Sequence, residues 1–290
     1  MVQHSVPLAL LAHPYDRLQP LEPRTTAIRS LRLHAGSAVV WCMGATGESG
    51  QSGLDRVIGS RPGGLALLVI LPPDADLMAS SGLSMELHQL RPQGILPFHA
   101  APSATELSQV LRRPPGDLAG EVTDYLRWRG LGIDRDTIQL IRRILDLSAE
   151  LRSISSVSRG MYLSRRALGR RLTTRGLPVP SHWLQMGRLL RVAIRLQNTD
   201  ATVSSVAFEH GYPDGFSLSN QMERLIGHRP SEVRVRLGWE WLVESWLRRE
   251  AESGRLSCGV APTDEAQPVA MSRPPRAPRR HGRSSKRSHA

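Results

Sequence analysis

Two stretches of the sequence place side chains with paired hydrogen-bonding groups at helical spacing. In the first, Arg165, Arg166, Arg170 and Thr173 surround Leu168 and Leu172. In the second, Ser217, Asn220, Gln221 and Arg224 surround Leu218 and Met222. An arginine fork donates two hydrogen bonds to guanine O6 and N7, and an Asn or Gln amide pairs in the same way with adenine. The chemistry implied is non-covalent: the reading of base edges in double-stranded DNA. Arg188, between the two stretches, joins the candidate DNA-binding set.

Covalent chemistry has no comparable set. His13, His34, His88 and His99 are scattered, and no nucleophile elbow or metal-ligand spacing is present. The stretch Gly44–Gly53 is glycine-rich and follows an apolar run. It lacks the Lys-Ser/Thr ending of a phosphate-cradling loop and reads as a flexible loop. Cys42 and Cys258 show no metal spacing and fit a reducing compartment. The sequence therefore predicts no catalytic residue, no metal, no cofactor and no enzyme.

The charge is segregated in a way that supports a polyanionic partner. Against a net charge of +12, residues 151–237 hold 14 Arg and five acidic residues, and residues 271–290 hold six Arg and Lys286 with no acid. The rest of the chain is net acidic. An arginine-rich composition explains Arg over Lys, but not why the excess gathers in one region and a tail. The longest strongly apolar run, Leu65–Leu71, is far below the roughly 20 residues a membrane span needs. Val6–Ala12 lacks a basic leader and meets Pro14, so no export signal is recognised. The expected location is the cytoplasm, with the nucleoid, and no membrane partner is expected.

The elements that would position the paired side chains form an internal near-repeat. Ser164, Leu168 and Leu172 recur 50 residues later as Asp214, Leu218 and Met222. Each set reads as a capped helix with an apolar stripe. In front of each lies a shorter helical piece, Ile154–Gly160 and Val203–His210. Gly211 supplies the second turn, where a left-handed backbone is easiest for glycine. Gly176 and Gly227 read as helix stops, and Pro180 and Pro230 open the helices that follow. A helix of about residues 181–197, with Leu184, Leu189, Val192 and Leu196 as its stripe, joins the two units.

On these residues the segment Ser153–Arg234 resembles the DNA-binding domain of AraC-type transcription regulators. The most specific match is Ser205-Val-Ala-Phe-Glu-His-Gly-Tyr followed by Gly227-His-Arg-Pro-Ser-Glu-Val-Arg, close to the family's "iA…GF" and "G.sP…R". Leu190 and Ala193 resemble the end of its "RL..A". The resemblance implies two helix-turn-helix units with the second helix of each as the DNA reader. There are departures. Leu189 takes the Arg place of "RL..A", beside Arg188. Ser158 replaces a small Ala, and Gly176 falls one position early. Leu218 and Met222 replace aromatic core residues, and Arg229 replaces a frequent Ser. Asn220 and Glu223 stand where basic residues are frequent, so the second unit is expected to bind DNA more weakly than the first.

The first half alternates apolar runs with amphipathic segments. Leu8–Ala12, Ala38–Met43, Leu65–Leu71 and Gly94–Phe98 read as buried strands. Thr25–Leu33, Ser52–Gly59, Ala75–Leu90 and Ser103–Leu111 read as helices, the last opened by a Ser103–Glu106 capping box. The alternation predicts an α/β domain with a parallel sheet and helices on both faces. Gly94-Ile-Leu-Pro-Phe followed by Ser103–Leu111 is similar to the end of a response-regulator receiver, a flavodoxin-like fold. The receiver's acidic pocket is missing. The run taken as the middle strand ends Ile70-Leu-Pro-Pro, His13 and Pro14 follow the first strand, and Leu96 precedes Pro97 where a receiver has Lys.

The predicted organisation is an α/β sensor or dimerisation domain at 1–115 and a connector at 116–150, containing a helix over 134–151 that packs the two halves together. An all-α double helix-turn-helix domain at 151–237, a C-terminal helix at 238–251 and a disordered basic tail at 252–290 follow. A homodimer and an unknown effector at the first half both stay open. Two functions compete: a sequence-specific AraC-type transcription regulator, and a non-specific nucleic-acid-binding architectural protein driven by arginine charge and the tail.

Overall fold

Three apolar, buried segments form the centre of one sheet because their backbones can pair nowhere else once buried, and two shorter ones pair at its edges. The structure, a computed structural model, describes residues 7–43, 48–72, 81–97 and 102–257. Strands β1 (Leu8–Leu11), β2 (Leu18–Pro20), β3 (Ala38–Cys42), β4 (Ala66–Leu71) and β5 (Gly94–Pro97) lie in the order β2-β1-β3-β4-β5. Around them run α1 (Thr25–Ser30), α2 (Glu48–Gly59), α3 (Ser81–Leu90) and α4 (Ala104–Arg112). The capping box at Ser103 and Glu106 is formed as expected. The start of the expected Ala75–Leu90 helix, residues 44–47, His99, Cys258 and nearly all of the basic tail lie outside the described residues. The rest of the glycine-rich stretch expected as a loop, Glu48–Gly53, is instead the first part of α2.

The sheet is mixed, where a parallel one was expected. β3, β4 and β5 are parallel, but β1 runs antiparallel to both β2 and β3. For β1 and β2 the reason is local. Only six residues separate Leu11 from Leu18, and a parallel connection needs roughly a dozen or more. β2 escaped the sequence reading because Leu-Gln-Pro is too short to show a period and ends in proline, which suits an edge strand. The reversal also splits any receiver-like pocket. β1 and β3 are neighbours running in opposite directions, with Leu11 paired to Ala38 and Leu8 to Trp41, so their C-terminal ends lie at opposite ends of the strands and His13 and Met43 cannot share a site. Incubating the full chain with a small phosphodonor is therefore expected to leave residues 1–115 without an aspartyl-phosphate, read by intact mass. A stable phosphorylated aspartate there would contradict it.

Alternate residues of β1, β3 and β4 enter different cores. Leu8, Leu10, Val39, Trp41, Leu67 and Val69 pack against Ile28 of α1, Leu54 and Ile58 of α2, and Leu87 of α3. Ala9, Leu11, Val40, Leu68 and Ile70 face Leu107 and Leu111 of α4 together with Leu237, far along the chain. The second face of the sheet is thus covered partly by the C-terminal half.

That half is all helix. It contains α5 (Leu118–Trp128), α6 (Arg135–Leu147), α7 (Ile154–Gly160), α8 (Arg165–Thr173), α9 (Pro180–Asn198), α10 (Val203–Glu209), α11 (Gly215–Ile226), α12 (Pro230–Val235) and α13 (Glu240–Glu252). These share one core, in which Tyr125, Ile141, Leu168, Trp183, Leu189, Leu218 and Trp246 are all buried. The stretch expected as a plain connector holds α5, whose Tyr125 and Leu126 are buried. Contacts with the first half run through α5, α9, α13 and the segment after α12. Leu237 N–H donates to the Tyr15 hydroxyl at 2.8 Å, and Arg112 donates to the Gln197 carbonyl at 2.6 Å. Gln93 donates to Glu240 at 3.2 Å, and Arg91 pairs with Glu240 at 3.5 Å. Burial raises the Glu240 pKa, and the Arg91 cation opposes that rise. The chain divides by its contacts into Met1–Val260 and Ala261–Ala290. Both halves lie in the first unit.

Candidate nucleic-acid interface

Two helix pairs, α7 with α8 and α10 with α11, are built alike from their caps upward. Ser153 and Thr202 cap the first helix of each pair, accepting from Ser156 N–H and Ser205 N–H, both at 3.1 Å. Ser164 and Asp214 cap the second helices, accepting from Ala167 N–H at 3.1 Å and Ser217 N–H at 2.6 Å. The Ser217 N–H bond also holds the Asp214 carboxyl below the usual carboxylate range. The turns close in the same way: Leu163 N–H donates to Ser158 O at 2.9 Å, and Tyr212 N–H donates to Ala207 O at 2.8 Å.

The first turn is one residue shorter. Val157 therefore corresponds to Val206, 49 residues on, whereas Leu168 corresponds to Leu218, 50 residues on. The left-handed position held by Gly211 at φ 70° is held by Tyr162 at φ 54° in the first pair. A Cβ at Gly211 would have to displace the flexible Arg152 guanidinium, and the left-handed backbone there favours glycine. Tyr162 is 97% exposed and meets no such neighbour.

The reader faces follow from what is buried. In α8, Leu168 and Leu172 are fully buried. Arg166, Arg170 and Thr173, at i, i+4 and i+7, line the opposite, exposed face. Arg165 is exposed at its flank. In α11, Leu218, Met222, Leu225 and Ile226 are buried. Asn220 and Arg224 are exposed, while Ser217 and Gln221 are half-buried at the sides. Phe216, outside the expected set, is 74% exposed and shares the outward face with Asn220 and Glu223. Its signal was available: a large apolar residue standing off the helix's apolar stripe. Glu223 is paired with Arg229 at 3.5 Å on the surface.

Arg188 stands apart from the other eight candidates. It is half-buried on α9, donates to the carbonyls of His210 at 2.8 Å and Gly211 at 3.3 Å, and lies 4.6 Å from the Tyr212 ring centroid. Burial lowers its pKa, Tyr212 opposes that shift, and Arg152 adds to it. Its fork fastens α9 to the turn of the second pair. Arg188→Ala is expected to cost about 2 kcal/mol of stability, because it removes charge-assisted hydrogen bonds to partly buried carbonyls. Thermal melting checks this. An unchanged Tm would return Arg188 to the set of free cations.

A capped helix that follows a tight turn and presents unpaired cations to solvent is the form of a DNA-binding helix-turn-helix. Residues 157–236 match the family model described as a helix-turn-helix domain. This region is an AraC-type DNA-binding domain, of a regulator class rather than an enzyme family. Comparison with curated proteins returns no match. Among the described residues, no group of three or more His, Cys, Asp or Glu could hold a metal ion, and no helix is long and apolar enough to cross a membrane. Burial pushes the Cys42 thiol up, away from a reactive thiolate.

Proposed function

We propose that this protein is a sequence-specific transcription regulator that reads DNA with two helix-turn-helix units, α7–α8 and α10–α11, in adjacent major grooves. The observation that carries the reading is the outer face of α8. There Arg166 and Arg170 are exposed, and no described hydrogen bond or ion pair engages either guanidinium. Arg165 and Thr173 flank them, and Ser217, Asn220, Gln221 and Arg224 are the second unit's polar set. α9 runs from Pro180 to Asn198 between the units. At ~1.5 Å per residue it spans roughly 28 Å, and adjacent major grooves on one DNA face are about 34 Å apart. A regulator of this kind works in the cytoplasm, on the nucleoid. Residues 1–115 form its sensor or dimerisation half, where an effector or a second copy would act. The packing of Leu237 under the sheet supports a mechanical link from that half to the DNA reader.

The competing reading, a non-specific architectural protein, draws on the net charge of +12 and the basic tail. Selection of sites from random duplexes with the full chain, followed by footprinting, separates the two. The expected result is a recurring motif with two protected half-sites about 10 base pairs apart. Binding that falls steeply with salt and ignores sequence would favour the architectural role.

A further inference from the structure

The two reader helices differ in chemistry at corresponding positions. Where α8 presents Arg166, Arg170 and Thr173, α11 presents Phe216, Asn220 and Glu223. Phe216 is the second residue of α11, in the N-terminal turn that a helix-turn-helix sends deepest into the groove. It is 74% exposed although the helix has a complete apolar stripe of its own in Leu218, Met222, Leu225 and Ile226. Around it lies a shallow depression lined by Val203, Ser204, Gly215, Ser219 and Arg229. Ser219 turns its hydroxyl back to the Gly215 carbonyl at 2.7 Å, leaving the aromatic ring as the prominent group of that turn.

An exposed phenyl ring donates no hydrogen bond to a base edge or a phosphate. In the major groove its natural apolar partner is the C5 methyl of thymine. One helical turn further on, Asn220 is exposed and carries the amide that pairs with adenine N6 and N7. Both groups call for A·T pairs. The carboxylate of Glu223, matched by Arg229 at 3.5 Å, leaves this face without the paired arginines that read guanine in α8. We infer that the second unit reads an A·T-containing half-site, with Phe216 as a specificity-determining residue packed on a thymine methyl, while α8 reads guanine. The inference rests on the proposed placement of both units in the major groove.

Deoxyuridine differs from thymidine only by the missing methyl, which gives a direct test. The duplex recovered by selection with the full chain is remade with each thymine replaced in turn by deoxyuridine. Its affinity is then measured for the wild type, Phe216→Ala and Phe216→Leu. One replacement in the half-site protected by α11 is expected to weaken wild-type binding about fourfold, the value of one buried methyl group. The same replacement should cost Phe216→Ala nothing further, and Phe216→Leu an intermediate amount. Thermal melting should be unchanged in both variants, because the ring is on the surface. Equal losses in all three proteins, or no thymine position that matters in that half-site, overturn the role of Phe216 while leaving recognition by the arginines standing. Failure to recover any preferred site overturns the proposed function itself.

Discussion

Arg166→Ala and Arg170→Ala are each expected to weaken binding to the selected DNA site by about 1–3 kcal/mol, the value of a bidentate arginine–guanine contact. Both side chains sit opposite the buried Leu168 and Leu172, so neither contributes to the core. Circular dichroism and the melting temperature should stay as in the wild type. The loss should be concentrated on the selected site, because a base contact carries specificity that a phosphate contact does not. On random duplex the variants should lose much less. The salt slope provides a second check: an arginine that only neutralised a phosphate would lower the slope by about one when removed. Wild-type affinity in both variants would remove α8 from the reading surface. It would also leave the polar face of α11 to explain any specificity.

Trp246→Ala is expected to cost about 3–5 kcal/mol of folding stability, in the range of large aromatic deletions from a packed core. Trp246 is fully buried, and its ring meets Trp183 of α9 edge-on at a centroid distance of 4.6 Å. The helix that carries it, α13, begins after the matched region 157–236 ends. The prediction therefore asks whether the DNA-binding domain has its core completed from outside the family's own boundaries. The Trp246 indole nitrogen is buried without a hydrogen-bond acceptor. Trp246→Phe, which keeps most of the ring and removes that unpaired donor, should cost much less than alanine. Chemical denaturation of the three proteins decides it. A loss below about 1 kcal/mol for the alanine variant would mean that α13 is an appendage, since the burial of a large aromatic normally contributes several times that.

The sequence by itself determined the features that depend on near neighbours. Helix starts were legible at Ser103, Ser164 and Asp214 because a capping side chain bonds a backbone group only three residues on. The inward faces of α8 and α11 were legible because a helix repeats its core contact every three to four residues. Arg166 and Arg170 followed as the remainder, whatever the fold around them. β4 was legible because a strand buried on both faces is apolar throughout.

Tertiary structure decided whatever depends on a partner distant in the chain. The direction of β1 is invisible in Leu-Ala-Leu-Leu, because pairing direction is set by connection length and by which neighbour is available. The left-handed backbone of Tyr162 was hidden because the pair correspondence shifts from 49 to 50 residues inside the turn. Arg188 looked like the other arginines in sequence. Only the approach of the His210 and Gly211 carbonyls and the Tyr212 ring turns it inward. Phe216 stands off the apolar stripe of α11 in the sequence, and the structure shows how far its ring is left outside, at 74% exposed, once Leu218 and Met222 fill the core. Identical side chains thus take opposite roles according to which distant groups the fold brings within a few ångströms, and local sequence carries no record of those groups.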